Sequence, residues 1–324
     1  MNTLTKQLAD SDTVDAETKF SLSEITGDVK VFNLEHDRSD LHIMALTNIV
    51  YAGQTDQQRV LIADSHRYGR ILVLDGNLQS AEADEALYHE LLVQPVMVQH
   101  PNPRRILIIG GGEGASLREV LRHKSVETVT LVDIDAQIIE LSKQHLPSWH
   151  EGCFNDARVK FVHSDGRAFV EKDTSKYDVA IIDVVDPEQN SSVRSIYTKE
   201  FYELLKARLA PGAIIAIQAN KFSHLEHNSH CLLARTVRSV FSEVHSYHAI
   251  IPSFLCDWSF LLASDWFNPK KISPKNFNDC VSTRIGTGAL KHVDGDFFLS
   301  TLQFPKEARA SLAEAGSILQ DSSL

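Results

Sequence analysis

Beyond Pro103 the chain contains short apolar segments that alternate with segments of helical spacing. In the first of them, residues 105–109, four Ile or Leu residues follow one another without a polar residue between them. A strand of this kind is buried on both faces, which requires a parallel sheet with helices packed on either side. The pattern therefore predicts an α/β fold with a doubly wound, Rossmann-like sheet. The further predicted strands are residues 127–133, 158–162, 177–183 and 213–217, and the predicted helices are residues 116–123, 137–144, 199–208 and 226–240.

The N-terminal part of the chain has a different pattern. Residues 1–25 are polar and rich in Asp, Thr and Ser, which predicts a loose N-terminal arm. Residues 26–82 contain short β-rich runs, and Asp75-Gly76 is a turn signal. We therefore expect a small antiparallel β domain at 26–82, followed by a doubly wound domain at 83–324.

The composition excludes several classes of protein. The 324 residues carry 32 Lys and Arg against 43 Asp and Glu, a formal net charge of −11. This balance argues against a nucleic-acid partner, because proteins that follow phosphates present a basic face. Four scattered cysteines without a CxxC spacing are typical of a reducing compartment. The start of the chain does not resemble a signal peptide, and no apolar run reaches about 18 residues. We therefore expect a cytoplasmic protein without a membrane partner.

A glycine-rich loop follows the first apolar strand. In Gly110-Gly-Gly-Glu-Gly-Ala115 the glycines at 110, 112 and 114 allow the backbone to approach a bound ligand without a Cβ in the way. Ala115 stands at the last position of the dinucleotide-binding frame, which tolerates alanine there. A tight strand-to-helix turn without a ligand is the alternative interpretation.

Two carboxylates at later strand ends favour a nucleoside ligand. Asp133 ends the second predicted strand, 21 residues after Gly112, where an acidic side chain can accept hydrogen bonds from ribose hydroxyls. Asp165-Gly166 ends the third, where a carboxylate can accept a hydrogen bond from an adenine amino group. Each Asp taken alone also fits a helix cap or a turn. Together with the glycine loop they predict an adenosine pocket.

Further acids stand at the end of the fourth predicted strand. Asp183 and Asp186 lie three residues apart, and Pro187 stops the strand. Glu113, in the glycine loop, is expected to face the same crevice, because the carboxyl ends of parallel strands share one edge of the sheet. A simple turn is the alternative. Three converging acids indicate a cationic ligand, because an uncharged adenosine does not require acids to bind it.

The combined motifs resemble the polyamine aminopropyltransferases, that is, spermidine synthase and its relatives. The resemblance covers roughly residues 55–310. The motifs that carry it are Tyr88-His-Glu90, His100-Pro-Asn-Pro103, Ile108-Ile-Gly-Gly-Gly-Glu-Gly114, Leu117-Arg-Glu-Val-Leu-Arg-His123, Asp183-Val-Val-Asp-Pro187, Tyr197-Thr-Lys-Glu-Phe-Tyr202 and Ile217-Gln-Ala219.

The resemblance implies an N-terminal β domain ahead of a methyltransferase-like Rossmann sheet, and a homodimer or homotetramer. It implies transfer of the aminopropyl group of decarboxylated S-adenosylmethionine, a co-substrate, to putrescine or a longer polyamine, with release of 5′-methylthioadenosine. It implies neither a tightly bound cofactor nor a metal. The residues that match the family are Asp183 as proton acceptor; Glu113, Asp186, Tyr88, His89 and Gln218 as amine-site residues; and Gln58, Gly110, Gly112, Asp133, Asp165 and Gly166 as nucleoside contacts.

One other group of residues has the side chains of metal ligands. His224, His227 and His230 are each three residues apart, a spread that exceeds the face a single ion needs on a helix. We therefore expect no metal site there.

Several positions depart from spermidine synthases. Glu113, Asp133, Phe254 and Ala263-Ser-Asp265 are more similar to the thermospermine synthase branch, and residues 188–194 lack an expected Gly-Pro. The amine acceptor therefore stays open between putrescine and spermidine. Two alternatives to the transferase are an S-adenosylmethionine-dependent methyltransferase and a catalytically silent relative that binds polyamine or nucleoside. The acid cluster argues against the first, because a methyl acceptor rarely requires three acids.

Overall fold

The computed structural model describes residues 22–26, 29–35, 41–186, 191–223 and 226–323, with side chains from residue 44 onwards except at 191 and 192. The chain divides into two compact units between Ala83 and Asp84, one residue after the division expected from the sequence. Within the described ranges, no helix has the length and apolar character that crossing a membrane requires.

The described part of the N-terminal unit is an antiparallel sheet in which each strand pairs with the next along the chain. Asp75 and Gly76 have φ values of 49° and 86°, so they form the two-residue hairpin turn expected between neighbouring strands. The strands are β1 Leu22–Thr26, β2 Val29–Glu35, β3 Leu41–Gln54, β4 Arg59–Ser65, β5 Gly69–Leu74 and β6 Asn77–Ala81.

The predicted N-terminal arm requires a correction at its end. Leu22–Thr26 form a strand that pairs with β2, so residues 22–25 belong to the sheet and not to a loose arm. The ladder supplies the backbone hydrogen bonds that a polar segment otherwise makes with water. The rest of the arm, residues 1–21, lies outside the described residues.

The second unit contains a mixed sheet in the order β12-β13-β11-β10-β7-β8-β9. Strands β11 to β9 in this order are parallel, and β7 lies at the point where the winding direction reverses. The predicted α/β architecture is thus confirmed, but the antiparallel pair at one edge, β12 and β13, was not predicted. The strands are β7 Arg105–Gly110, β8 Thr128–Asp133, β9 Val159–His163, β10 Tyr177–Asp183, β11 Leu209–Phe222, β12 Glu243–Ile251 and β13 Cys256–Ser264.

Helices cover this sheet because its strands are apolar on both sides. Ile106 to Ile109 and Val179 to Ile182 are all at most 1% exposed. The helix after β7 begins at Ala115, and the helix after β8 is capped by Asp135, which accepts hydrogen bonds from two backbone amides. The helices are α1 Glu85–Gln99, α2 Ala115–Leu121, α3 Ala136–His145, α4 Pro147–His150, α5 Gly166–Lys172, α6 Lys199–Lys206, α7 Asn228–Arg238, α8 Pro274–Arg284, α9 Gly295–Thr301 and α10 Lys306–Ala313.

Candidate active site

The glycine loop between β7 and α2 packs directly against the end of β10. Gly110, Gly111 and Gly114 have φ values of 81°, 70° and 90°, which residues with a Cβ rarely adopt. A Cβ on Gly110 would lie 2.1 Å from the carbonyl oxygen of Asp183. The amide of Gly111 donates a hydrogen bond to the same oxygen at 3.0 Å. The loop therefore requires glycine for its path and for its contact with Asp183.

The carboxylate of Asp183 lies at the carboxyl end of β10 and is partly buried. The hydroxyl of Tyr88 donates to Oδ1 at 3.1 Å, and the hydroxyl of Ser116 donates to Oδ2 at 2.6 Å. Burial, and after it the charge of Glu113, raises the pKa of Asp183 to about 6, although His89 and the two hydroxyls act in the opposite direction. The carboxylate is thus mostly ionised at neutral pH, yet more basic than an ordinary Asp.

His89 on α1 lies between two carboxylates. Its Nε2 is 3.0 Å from Oε1 of Glu113, and its Nδ1 is 3.2 Å from Oε2 of Glu85. The residue is only 2% exposed, and burial alone would lower its pKa. The hydrogen bonds and charges of the two carboxylates overcome this effect and raise the pKa of His89 to about 10. His89 is therefore an imidazolium at neutral pH. Its Nε2 donates to Glu113, and its Nδ1 donates to the backbone carbonyl of Glu85 at 2.6 Å beside the carboxylate of the same residue.

Arg118 on α2 holds the far side of this ion pair. It donates to both oxygens of Glu85 at 3.0 and 2.9 Å and to the carbonyl of Trp149 at 2.6 Å. Its Nε donates to Oε1 of Glu119, which is fully buried. No role was predicted for Glu85, Ser116 or Arg118 from the sequence. Arg118 stands within one of the matched motifs, which was the available signal.

Ligand atoms of His89, Glu113 and Asp183 lie within 4.8 Å of one another, a spacing that a metal ion can bridge. A metal-bound histidine must offer a neutral ring nitrogen with a free lone pair. Nε2 of His89 faces the carboxylate of Glu113 at 3.0 Å, as an imidazolium that donates to an acid does. The contacts of these three residues fit a charge-paired cluster.

The histidines at which no metal site is expected, as far as the structure describes them, have separate partners. The two ring nitrogens of His227 contact the carbonyl of Ser223 and the hydroxyl of Ser311. His230 is fully buried, and its Nε2 is 2.8 Å from the hydroxyl of Ser246. His224 lies outside the described residues.

Gln218 on β11 connects to the second acid of the Asp183-Val-Val-Asp186 motif. Its Nε2 is 3.1 Å from Oδ1 of Asp186, 2.6 Å from the carbonyl of Val184 and 3.0 Å from the hydroxyl of Tyr197. The side chain of Gln218 is 2% exposed. Residues 187–190, which include Pro187 and the first residues of the segment 188–194, lie outside the described residues.

Tyr88 lies close to the three acids of the site. Burial raises its pKa well above 10, and the charges of Asp183, Glu113 and Asp186 raise it further. Its ring packs edge-on against Phe254 at a centroid distance of 6.0 Å. Phe254 is 7% exposed in the turn after β12, so an aromatic surface lies beside the acids.

Asp133 lies at the end of β8, against the glycine loop. A Cβ on Gly112 would approach Oδ2 of Asp133 to 2.8 Å, and the amide of Asp135 donates to Oδ1 at 2.8 Å. Burial raises the pKa of Asp133 to about 7, and the charges of Asp135 and Glu113 add to the increase.

Asp165 and Gly166, the other strand-end pair, have structural roles of their own. Oδ1 of Asp165 accepts from the amide of Ala168 at 2.8 Å and caps α5, as the alternative interpretation anticipated. A Cβ on Gly166 would lie 2.5 Å from Cγ2 of Ile109, so glycine allows the helix to pack closely on β7.

Gln58 belongs to the N-terminal unit, whereas the other predicted site residues belong to the second unit. It is partly buried in the loop between β3 and β4, where its backbone amide donates to the hydroxyl of Thr55 at 3.1 Å. Its carbonyl accepts from the amide of Thr55 at 2.9 Å, which closes the turn.

Two family models match the sequence. The spermine/spermidine synthase domain matches residues 85–270, and the spermidine synthase tetramerisation domain matches residues 31–82. Polyamine aminopropyltransferase 2 of Pseudomonas aeruginosa is 48% identical over 298 residues, which are 92% of this chain and 85% of that protein. Polyamine aminopropyltransferase of Sulfurisphaera tokodaii is 38% identical over 86% of this chain and 92% of that protein.

Solved structures agree with this assignment. Spermidine synthase from Thermotoga maritima matches with a TM-score of 0.78 at 27% identity, over 92% of this chain and 98% of that one. A spermidine synthase in complex with the transition-state analogue AdoDATO matches with a TM-score of 0.79 at 28% identity, over the same shares of the two chains. The family matches, the relatives and the fold together show that this chain belongs to the spermine/spermidine synthase family and is a transferase of the aminopropyltransferase type.

Proposed function

We propose that the chain transfers the aminopropyl group of decarboxylated S-adenosylmethionine to a polyamine, with Asp183 as the proton acceptor. One observation carries this proposal. The carboxylate of Asp183 lies at the carboxyl end of β10, beside the acid Glu113, and its pKa is raised to about 6 by burial and by that neighbour. A base of this strength is ionised at neutral pH and accepts a proton readily.

The chemistry requires little beyond positioning and one proton transfer. An amine is protonated at neutral pH, so the carboxylate of Asp183 first takes a proton from the attacking ammonium group. The free nitrogen then forms a bond to the carbon beside the sulfonium, and the carbon–sulfur bond breaks. The electron pair of that bond goes to sulfur, which leaves as the neutral thioether of 5′-methylthioadenosine. Holding nitrogen, carbon and sulfur in line supplies most of the acceleration.

Glu113 and Asp186 hold the remaining ammonium groups of the acceptor in this proposal, and Tyr88, His89 and Gln218 line the amine site. The imidazolium of His89 already neutralises part of the charge of Glu113 at 3.0 Å. The amide of Gln218 orients Asp186 at 3.1 Å. These contacts keep both carboxylates in fixed positions, so that they set the register of a flexible polyamine.

The nucleoside half of the co-substrate lies along the strand ends in this proposal. Asp133 accepts from the ribose hydroxyls, Asp165 from the adenine amino group, and Gly110 and Gly112 allow the backbone close to the ligand. Gly166 completes the contacts that the family resemblance suggests within this unit, and the nucleoside contact of Gln58 stays a prediction. An acidic site of this kind disfavours the α-carboxylate of intact S-adenosylmethionine, because burying like charges together is costly. We therefore expect a strong preference for the decarboxylated form.

The acceptor includes spermidine as well as putrescine in this proposal. Glu113 is one methylene longer than the Asp usual in spermidine synthases, and Phe254 lacks a hydroxyl that would bind the far ammonium of a short diamine. Phe254 packs beside Tyr88, which supports a role near the amine. One methylene discriminates by only about 1–3 kcal/mol, so both amines react. Thermospermine or spermine is then among the products.

We also propose that the chain works as a homodimer or homotetramer. The match of residues 31–82 to a domain described as a tetramerisation domain supports this assembly. The net charge of −11 supports the expectation of no nucleic-acid partner. The cytoplasmic location stays a prediction.

Product identification by mass spectrometry tests the proposed reaction. The protein is incubated with decarboxylated S-adenosylmethionine and with putrescine and spermidine at equal concentration. We expect 5′-methylthioadenosine and products of both amines. S-adenosylhomocysteine and a methylated amine from intact S-adenosylmethionine would instead indicate a methyltransferase, and use of putrescine alone would refute the wider acceptor site.

Asp183→Asn tests the proton acceptor, and Asp178→Asn is the matched control. Asp178 is in the same strand but pairs with Arg105 at 2.8 Å, outside the cluster. We expect Asp183→Asn to lower turnover by about two orders of magnitude or more. Binding of 5′-methylthioadenosine should persist. Wild-type turnover in Asp183→Asn, or an equal loss in both variants, would remove Asp183 from this role.

A further inference from the structure

Ser116 is a second hydroxyl donor to Asp183 that the sequence motifs do not single out. It is the second residue of α2 and has no exposed surface. Its Oγ lies 2.6 Å from Oδ2 of Asp183, although the two residues are 67 positions apart in the chain. This distance is typical of the charge-assisted hydrogen bond that a hydroxyl donates to a carboxylate.

The two hydroxyl donors hold different oxygens of the carboxylate. Tyr88 donates to Oδ1, and Ser116 donates to Oδ2. They approach from separate helices, α1 and α2, so together they set the rotation of the carboxylate plane. The backbone carbonyl of Asp183 is fixed as well, because the amide of Gly111 donates to it.

Helix α2 is a rigid support for Ser116. Gly114 immediately precedes the helix with a φ of 90°, and a Cβ on it would lie 2.6 Å from the ring of Phe154. Two residues after Ser116, Arg118 is anchored to Glu85 by two hydrogen bonds. Contacts before and after Ser116 therefore hold the start of α2 in the position that places the Ser116 hydroxyl against Asp183.

We propose that Ser116 is a positioning residue for proton transfer: its hydroxyl fixes the orientation of the Asp183 carboxylate and favours the ionised form that accepts the amine proton. This inference rests on the proposed role of Asp183. A hydroxyl that donates to a carboxylate stabilises the charged form, so it opposes burial and the charge of Glu113.

Other titratable groups also face Asp183. They are Tyr88 and His89 on α1, Glu113 in the glycine loop, and Tyr197 ahead of α6. All of them are retained in the substitutions described below. A change in the pH profile on substitution of Ser116 therefore comes from loss of its hydrogen bond.

The test compares the pH dependence of kcat/KM in the wild type, Ser116→Ala, Ser116→Cys and Ser116→Thr. Alanine and cysteine remove the strong donor, whereas threonine keeps a hydroxyl. The acid limb is the fall of kcat/KM at low pH. Loss of a hydrogen bond to a charged group is expected to move this limb to higher pH by about one unit in Ser116→Ala and Ser116→Cys. This shift gives a loss of about fivefold at pH 6 and less than about 1.2-fold at pH 8.5. We expect threonine to restore the wild-type limb.

Ser142→Ala is the matched control, because Ser142 is also fully buried on a helix and its hydroxyl has no partner among the described residues. We expect it to keep the wild-type limb. Thermal melting shows which variants are folded, and the comparison of Ala and Cys with the wild type suffices if threonine does not fit.

An unchanged acid limb in folded Ser116→Ala and Ser116→Cys, or a uniform loss at every pH, would overturn the inference. If Asp183→Asn abolishes turnover while the Ser116 variants keep the wild-type limb, the inference alone fails. If Asp183→Asn keeps wild-type turnover, the proposed role of Asp183 fails first.

Discussion

Replacing His89 with Gln removes a buried positive charge from the centre of the acid cluster. In the wild type the ring nitrogens lie 3.0 Å from Glu113 and 3.2 Å from Glu85. Glutamine keeps hydrogen-bonding capacity but not the charge, so both carboxylates lose their shared cation. Removing one partner of a buried ion pair costs about 3–5 kcal/mol. The structure predicts that this cost depends strongly on pH.

The magnitude follows from the pKa of His89, which the two acids raise from 6.5 to about 10 against the effect of burial. A pKa raised by folding adds stability that is fully present below pH 6.5 and is lost as the pH rises through 10. The full contribution is about 5 kcal/mol, since one pH unit corresponds to 1.36 kcal/mol. Between pH 7 and pH 9 the wild type should lose about 2–3 kcal/mol of it.

The assay is urea-induced unfolding of the wild type and His89→Gln at pH 7 and pH 9, at one protein concentration. Groups away from His89 that titrate between these pH values are common to both proteins, so their effects cancel in the difference. His230→Gln is the control, because burial lowers the pKa of His230 to about 4 and that ring stays neutral throughout. We expect His230→Gln to lose stability between the two pH values as the wild type does.

The wild type and His89→Gln should therefore approach each other in stability at pH 9. If the difference between them is the same at pH 7 and pH 9, His89 is neutral and the reasoning about the charge-paired cluster is wrong. If the stability of His230→Gln also approaches that of the wild type between pH 7 and pH 9, the pH-dependent loss of stability does not come from His89.

Three further outcomes are expected. The kcat/KM of the wild type should fall about tenfold per pH unit below about pH 6, because protonated Asp183 cannot accept a proton, and a flat acid profile in steady-state assays would contradict this. Gly166→Ala should cost about 1–3 kcal/mol in urea unfolding, because the added Cβ would lie 2.5 Å from Cγ2 of Ile109, and unchanged stability would show that the helix shifts freely. Light scattering should give a particle of two or four chains of 36.2 kDa, and a single chain at all concentrations would refute the assembly.

The local pattern of the chain was sufficient to predict much of the fold. The apolar runs at 105–109 and 177–183 became the central strands, because a segment without polar alternation is buried on both faces. The glycine loop was equally readable, since Gly110 and Gly114 occupy backbone conformations that other residues rarely adopt. These features depend on neighbouring residues, so they are written into the sequence itself.

Strands β12 and β13 were missed because polar residues such as His245 and His248 interrupt the apolar pattern of the edge strand β12. Their strand conformation depends on pairing with each other and with β11, across residues 215–222. Propensity at a sheet edge is weak, and contacts between distant segments override it. The sequence contained the residues of this hairpin but no local signal for their pairing.

The chemical state of the site also depends on tertiary contacts. Asp183 and Glu113 were identifiable as acids at a strand end and in a loop, but a pKa depends on burial and on neighbouring charges. His89 becomes a stable imidazolium only because folding brings Glu113, 24 residues away, to 3.0 Å. Ser116 reaches Asp183 across 67 residues. Distances between groups so far apart along the chain follow from packing, which no single stretch of sequence specifies.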